Sequence, residues 1–463
     1  MTAVAPIRRR GIRGAVGLGE GGAGVRAALD RASVYAKSPF TFTGMSPAFI
    51  SFFCYIFVIF TFRIPIGTQT MVIALVTLPM ERTKLRLPSV TVCTFAMVGW
   101  AFFGYGKTLY PTQVFLVLTE FAKVSLVMFV AVNLITSEAR LRMLLAGMML
   151  FFAAYPIRGT LLNYIFGVTT GGRVAWNGTF SNPNDLAGFC VLQMGVALAV
   201  LEIERAKWLR WMATACAFLL PLIVVLTASR GAFIALIAFL LVSLKRNWAA
   251  VKSKLWVVIL LAMVIVYVGS DKIFSRLATI DDAVAGEASV AQDRGSSAQR
   301  LEIWKVARGV IAENWLTGVG IGAYGEAHYV MVQRPGFSLT ALGKRDTHST
   351  YLNIFAELGV VGFVSFLLIF LLTMNRARLA RKRAGLTSPI LRTQLIWLEI
   401  GLYGFLVAGI WGTYGRMVAL YVHVAIVWCT AGLLDEETAA LRRASEPPKR
   451  RVQGRRAPQP LVP

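Results

Sequence analysis

The stretch His348-Ser-Thr-Tyr-Leu-Asn-Ile-Phe-Ala-Glu-Leu-Gly-Val-Val-Gly362 joins a long polar segment to an apolar run. The apolar run continues to about residue 374, and about 20 apolar residues are enough for a helix to cross a bilayer. His348 and Ser349 therefore stand where a polar segment meets a predicted membrane helix. An imidazole at this place either caps the helix or serves as an ionisable group at the membrane surface.

The composition of the whole chain agrees with a membrane protein. Of 463 residues, 56% are hydrophobic and only 15% are charged, with a formal net charge of +25. In a soluble protein this charge would suggest a nucleic-acid partner, but in a membrane protein an excess of Lys and Arg marks the cytoplasmic loops. We therefore predict an all-α polytopic membrane protein that contacts membrane lipids and no nucleic acid.

Twelve apolar runs predict about twelve transmembrane helices. The predicted organisation is a basic cytoplasmic tail over residues 1–46, nine transmembrane helices over 47–269, a loop on the outer side over 270–347, three transmembrane helices over 348–434 and a second basic cytoplasmic tail over 435–463. Most Lys and Arg then face the cytoplasm, as the positive-inside rule requires. In this orientation Arg230, Arg300 and His348 share the outer face.

The polar segment before His348 carries a helical pattern of its own. Between residues 298 and 314, apolar side chains recur at the spacing of one helix face, namely at Leu301, Trp304, Ala307, Val310 and Ile311. This pattern predicts an amphipathic helix. Such a helix could lie over the mouth of the membrane bundle.

Two arginines on the predicted outer face are candidates for binding an anion. Arg230 lies in Thr227-Ala-Ser-Arg-Gly231, between two apolar runs, and Arg300 precedes Trp304 in the polar segment. Arg230 could simply be an arginine that snorkels from a helix end. A guanidinium also binds phosphate oxygens through a fixed fork of donors and stays protonated, so two of them at one surface suit a diphosphate.

An outer loop over residues 168–185 contains further polar candidates. Asn184 or Asp185 suits the cap of the helix that follows, and Arg173, Asn182, Asn184 and Asp185 could instead contact a substrate. Asp185 or Asp346 could orient His348, and Ser349 is a candidate because it adjoins His348. The histidines show no metal-ligand spacing, so we predict no metal and no other cofactor.

The spacing His348-Ser349, nine residues, Gly359, two residues, Gly362 resembles the histidine motif of the bacterial O-antigen ligases. Relatives of these ligases are the O-antigen polymerases of the Wzy type and the exopolysaccharide polymerases. The Ser-Arg-Gly around Arg230 resembles one arginine motif of the family. Arg300, ahead of the glycine-rich turn Asn314-Trp-Leu-Thr-Gly-Val-Gly-Ile-Gly322, is similar to the second.

The resemblance implies a GT-C-like helical bundle in the bacterial inner membrane, with its active site facing the periplasm. It implies a metal-independent, inverting glycosyltransferase whose donor is a glycan on undecaprenyl diphosphate and whose acceptor is another glycan or lipid A-core. In that reaction His348 is the catalytic base, and Arg230 and Arg300 bind the diphosphate. Other polysaccharide-assembly proteins are possible partners.

A flippase or transporter of lipid-linked oligosaccharide is the alternative. It would also have about twelve helices, and it would also need arginines for a diphosphate. It would have no need of a histidine and a serine at the head of a membrane helix.

Overall fold

In the computed structural model, the described residues are 38–61, 64–81, 84–170, 172–248, 252, 297–385 and 388–445. Their regular secondary structure is helical, and the one β-contact among them is an isolated bridge between Thr170 and Arg173. The all-α prediction is confirmed. The predicted span at 255–269, the loop residues 270–296 and most of both predicted tails lie outside the described residues.

The helices follow the predicted apolar runs. In the first half they are α1 (Pro47–Thr61), α2 (Gly67–Thr77), α3 (Ser89–Tyr105), α4 (Pro111–Leu134), α5 (Glu138–Phe152), α6 (Arg158–Ile165), α7 (Pro183–Ile203), α8 (Lys207–Leu226) and α9 (Arg230–Arg246). In the second half they are α10 (Ser297–Glu313), α11 (Tyr324–Met331), α12 (Thr350–Ala384), α13 (Pro389–Ala408) and α14 (Val418–Ser445). A π-helical turn at Ala153–Ile157 joins α5 to α6 around Pro156, which cannot donate a backbone hydrogen bond.

Seven of these helical stretches are long and apolar enough to cross a membrane, and α1, α2 and α3 are shorter apolar helices. The polytopic membrane class is therefore confirmed, whereas the number of spans stays a prediction. The helix α14 continues to Ser445, past the predicted start of the second tail at residue 435. Hydropathy cannot report such an extension, because a helix that leaves the bilayer turns polar without ending.

The most buried of the long helices is α7, which packs against α13. The two backbones approach closely at Gly195 and Gly401: a Cβ built on Gly195 would lie 2.9 Å from the Gly401 Cα atom. Small residues allow such close packing between membrane helices. The loop before α7 and the loop that joins α13 to α14 are thereby held at one end of the bundle.

The helix α12 is interrupted at Gly359, where φ is 62° and ψ is −167°. The glycine-rich turn docks on this interruption, because Val360 N–H donates to Trp315 O at 2.8 Å and Val319 N–H donates to Ala356 O at 2.9 Å. A Cβ on Gly359 would lie only 2.1 Å from Leu316 O. The motif glycine thus joins the polar segment to the helix that begins after His348.

The predicted amphipathic helix is confirmed as α10. Its Val306, Ala307 and Val310 are buried, while Leu301, which the pattern assigns to the buried face, is 57% exposed. Trp304 Nε1–H donates to Thr347 O at 2.8 Å, so α10 fixes the residue that precedes His348.

Several charged side chains within the helices form ion pairs, which lower the cost of placing a charge among apolar groups. Lys123 contacts Glu120 at 2.7 Å within α4, which confirms the predicted neutralising pair. Arg142 and Glu204 form a fully buried pair. Glu399 forms ion pairs with both Arg246 and Arg381, whose nearest nitrogen atoms lie 3.3 and 2.7 Å from its Oε2 atom.

Candidate functional site

A polar cavity of about 220 Å³ lies at the end of the bundle where α7, α9 and α12 begin. Four segments meet there: the start of α7, the turn before α9, the residues before α12, and the loop between α13 and α14. The cavity is lined by Asn182, Asn184, Asp185, Asp346, His348, Trp411, Gly412, Thr413 and Arg416. Four predicted site residues, Asn182, Asn184, Asp185 and His348, are thus brought together.

His348 has an unusual backbone conformation. Its φ is 50°, and Ala228, with φ 47°, is the only other non-glycine residue with positive φ in the part of the chain described. Such conformations cost about 1–3 kcal/mol each and cluster at functional sites. Ala228 lies just before Ser229 and Arg230, so the backbone strain falls on the histidine motif and on the first arginine motif.

His348 does not cap α12. The capping position belongs to Ser349, whose side chain makes no capping hydrogen bond, and Thr350 N–H donates to Gly409 O at 2.8 Å. Ser349 is buried beneath the cavity and is not part of its wall. The imidazole of His348 is therefore available to the cavity instead of serving the helix end.

The surroundings of His348 keep its imidazole neutral. Burial lowers its pKa most, the charge of Asp346 raises it, and the charges of Arg300 and Arg345 lower it, with a lowered pKa as the result. A histidine whose pKa lies below its ordinary value near 6.5 is deprotonated at neutral pH. It can then accept a proton from a hydroxyl.

Arg230 lies close enough to Arg300 for its charge to act on it, and the charge of Arg300 in turn acts on His348. Burial lowers the pKa of Arg300, and the positive charge of Arg230 lowers it further. Neither arginine forms the wall of the 220 Å³ cavity, although the charge of Arg300 reaches His348. Two guanidinium groups that repel each other in a half-buried place are stabilised when an anion binds between them.

Arg173 and Asn184 hold the turn that carries Arg230. Arg173 donates from Nε to Thr227 O and from Nη2 to Asn184 Oδ1, each at 2.7 Å. Ser229 Oγ–H donates to the same Asn184 Oδ1 at 2.9 Å. The cap of α7 is Asn182, which accepts from Asn184 N–H at 2.9 Å, so the prediction of Asn184 or Asp185 as the cap was wrong. These contacts give Arg173 and Asn184 a positioning role.

The loop between α13 and α14 completes the site, and sequence reasoning missed it. Thr350 Oγ1–H donates to Gly412 O at 2.6 Å, and Tyr414 O–H donates to Asn184 O at 2.9 Å. A Cβ on Gly231 would lie 2.6 Å from the Trp411 Cβ atom, so the glycine of the Ser-Arg-Gly motif makes room for this loop. The signal that could have found it is Arg416, the one cation in residues 409–417.

A second, larger cavity of about 660 Å³ adjoins the first and shares Thr413 and Arg416 with it. It lies between α1, α2, α4 and the start of α14. Most of its wall consists of aliphatic and aromatic side chains such as Tyr55, Ile59 and Met71. Its volume is in the range typical of ligand pockets, and its walls suit an apolar chain.

The charge-stabilising groups at this end of the bundle are arginines. Across the described ranges, no three His, Cys, Asp or Glu side chains gather as potential metal ligands. The absence of a metal in the reaction stays a prediction. What the arrangement offers is an imidazole, two carboxyl groups and the Arg416 guanidinium in the wall of the polar cavity, with the charge of Arg300 acting on the imidazole.

Residues 191–367 match the O-antigen ligase family. The matched region begins within α7 and ends within α12, and it contains Arg230, Arg300 and His348. The match supports a membrane enzyme of O-antigen assembly with a glycosyltransferase-like ligase activity. No protein of curated function matches the chain.

Proposed function

We propose that the protein is an inner-membrane glycosyltransferase. It transfers or polymerises glycan from an undecaprenyl-diphosphate donor. The proposal rests on the match of residues 191–367 to the O-antigen ligase family, which confirms the predicted resemblance to the ligase and polymerase superfamily. The observation that carries the proposal is the polar cavity lined by His348, whose pKa is lowered by burial and by the charge of Arg300, which itself lies within reach of the charge of Arg230. A ligase uses lipid A-core as acceptor, and a polymerase uses a second lipid-linked glycan.

In the proposed reaction, Arg230 and Arg300 bind the diphosphate of the donor. Their charge-assisted hydrogen bonds are short and strong, and they strengthen as negative charge grows on the leaving group. The pKa of Arg300 is lowered by burial and, further, by the charge of Arg230, and this repulsion between the two arginines is relieved when the diphosphate binds. The leaving group is thereby stabilised by protein side chains.

His348 acts as the general base in the same step. It accepts the proton of the acceptor hydroxyl, whose oxygen attacks the anomeric carbon of the donor from the side opposite the diphosphate. The bond between that carbon and the diphosphate oxygen breaks, the electron pair leaves with the diphosphate, and the anomeric configuration is inverted. General-base catalysis of this kind contributes about 10²–10⁴-fold to a rate.

The larger cavity supports the assignment of a lipid-linked substrate. Its apolar wall offers a place for a polyprenyl or acyl chain, and Arg416 stands between that chain and the polar cavity. A lipid diphosphate whose chain lies in the larger cavity would pass Arg416 on the way to His348 and to the two arginines that bind the diphosphate. We therefore assign Arg416 to the binding of the lipid-linked donor.

The direct test is transfer by the purified protein in lipid nanodiscs with an undecaprenyl-diphosphate-linked glycan. Lipid A-core and a second portion of donor are offered as separate acceptors, each with and without a chelator. Product on lipid A-core identifies a ligase, and lengthened lipid-linked glycan identifies a polymerase. Translocation of donor without any transfer product would contradict the proposal and favour the flippase.

The orientation in the membrane is tested separately. Reporter fusions at Gly343, in the polar segment before His348, and after Ser445, at the end of α14, should report the periplasm and the cytoplasm respectively. Identical readings from both fusions would contradict the periplasmic site.

A further inference from the structure

A small cavity of about 90 Å³ lies at the end of the bundle opposite the candidate site. It is bounded by the end of α4, by α12 and α14, and by the extended residues 84–88. Arg376, in its wall, follows Thr350 by 26 residues along α12. At 1.5 Å per residue that separation is roughly 35–40 Å, which is more than the hydrocarbon thickness of a bilayer.

The guanidinium of Arg376 is held in place by its neighbours but keeps one buried N–H donor without an acceptor in the described part of the chain. Its guanidinium lies over the ring of Trp428, 4.4 Å from the ring centroid. A Cβ on Gly432 would lie 2.8 Å from Nη2, so this glycine leaves the space that the guanidinium occupies. The Nε atom is buried and has no hydrogen-bond partner among the residues described. A buried donor in this state is stabilised by an acceptor.

Arg86 supplies the second positive charge. Asn133 clamps its main chain, because Arg86 N–H donates to Asn133 Oδ1 at 2.6 Å and Asn133 Nδ2–H donates to Arg86 O at 3.0 Å. The side chain of Arg86 pairs with Glu436 at 3.6 Å, and both side chains are about 60% exposed. Such a pair contributes little to stability and opens readily.

The charge and size of the cavity specify the ligand. Arg86, Arg376 and Glu436 together give a net charge of +1, which one phosphodiester would neutralise. The volume corresponds to about three water molecules at about 30 Å³ each, which suits a phosphate group and is small for a sugar.

The surroundings favour a phosphate that belongs to a lipid. Leu85 and Leu87, on either side of Arg86, are 51% and 59% exposed. Exposed leucines beside an arginine at the end of a membrane bundle are suited to contact acyl chains while the arginine contacts the head group. A free phosphate would gain nothing from them.

We propose that the cavity of Arg86, Arg376 and Trp428 binds the phosphodiester of an anionic phospholipid at the face of the bundle opposite the candidate site. The lipid joins α12 and α14 to the segment before α3, and it thereby stabilises the bundle. This site lies apart from the proposed chemistry, so its failure would leave the proposed function untouched.

The test uses the full-length protein in detergent with added phosphatidylglycerol, phosphatidylcholine or inorganic phosphate. Native mass spectrometry measures lipid binding, and thermal unfolding measures stabilisation. Phosphatidylglycerol should bind and should raise the unfolding temperature more than phosphatidylcholine does. In Arg86→Gln and in Arg376→Gln its affinity should fall about tenfold or more, the loss expected for one charge-assisted contact.

Arg378→Gln is the matched control, because Arg378 is an exposed arginine two residues along the same helix and lies outside the cavity. It should keep the wild-type affinity. If Arg376→Gln fails to fold, the exposed Arg86→Gln decides the result alone. Equal losses in Arg378→Gln, no preference for phosphatidylglycerol, or equal stabilisation by inorganic phosphate would each overturn the proposal.

Discussion

Thr413 Oγ–H donates a hydrogen bond of 2.5 Å to Asp346 Oδ2, and so ties the loop between α13 and α14 to the residue two positions before His348. The other oxygen of the carboxylate, Oδ1, accepts from Thr347 N–H at 2.9 Å. The negative charge that raises the pKa of His348 is therefore held at a fixed place. The loop between α13 and α14 thus contacts the residue whose negative charge acts on the proposed base.

The first prediction concerns the pH dependence of transfer. Because burial and two arginines lower the pKa of His348, the rate should rise with pH along an acid limb centred below pH 6.5 and then level off. Asp346→Asn removes the charge that raises this pKa, so the acid limb should move to lower pH. Arg345→Gln removes a charge that lowers it, so the limb should move to higher pH.

Thr413→Val is the control for these pH profiles. It removes the hydrogen bond to Asp346 and keeps the charge, so the acid limb should stay close to that of the wild type. The measurement is kcat/KM for the donor from pH 4.5 to 8, because this ratio reports the pKa of His348 before the diphosphate binds. Shifts of the same sign in Asp346→Asn and Arg345→Gln would contradict the electrostatic account of His348.

The second prediction concerns Asn184, whose side-chain oxygen accepts from both Arg173 and Ser229. Asn184→Ala leaves these two donors without that acceptor, at a cost of about 1–3 kcal/mol for a buried unpaired group. Asn184→Asp keeps an acceptor and should be milder. The measurement is the unfolding temperature in detergent. An equal fall of this temperature in both variants would contradict the stabilising role of the hydrogen bonds that Asn184 accepts.

The third prediction concerns Gly359. Gly359→Ala places a Cβ against Leu316 O in a backbone conformation that itself costs about 1–3 kcal/mol for other residues. We expect a strongly reduced yield of folded protein and loss of transfer. Gly325→Ala is the matched control, because a Cβ there meets no atom within 4 Å. Similar yields of the two variants on size-exclusion chromatography would contradict the docking of the glycine-rich turn on α12.

The fourth prediction concerns Arg416, which lines both cavities at the site. Arg416→Gln should raise KM for the lipid-linked donor about tenfold or more, while kcat changes less, because a binding contact to the donor is lost. Lys344→Gln removes a cation of the polar segment that pairs with Glu326, and it should leave this KM unchanged. A fall in kcat alone in Arg416→Gln would contradict its assignment to donor binding.

The helices were predictable from the sequence because membrane helices must be apolar over a set length. The run that begins after His348 shows the limit of this signal, since α12 continues to Ala384, well past the predicted end near residue 374. The interruption at Gly359 was not predictable either. Its cause is the glycine-rich turn more than 30 residues earlier, and no periodicity within α12 records that contact.

The candidate site was predictable only where a motif carries it. His348, Arg230 and Arg300 stand in recognisable surroundings, and the fold brings Arg300 within electrostatic reach of both Arg230 and His348. The loop that carries Trp411, Thr413 and Arg416 reaches the cavity because Gly231 leaves room for it and Thr350 donates a hydrogen bond to it. These contacts join segments that are distant in the sequence, so no local pattern predicts them. Arg173 makes hydrogen bonds that support the turn before Arg230, and its contact with a substrate stays a prediction.

The central claim, that His348 is the base of a glycosyl transfer, is tested most directly by single turnover with His348→Ala. Donor binding and transfer are measured on the same sample, after thermal unfolding has shown that the variant is folded. We predict donor affinity near that of the wild type and a transfer rate lower by about 10²–10⁴-fold, whereas Arg300→Gln should weaken binding and transfer together. Transfer by His348→Ala at the wild-type rate would contradict the account.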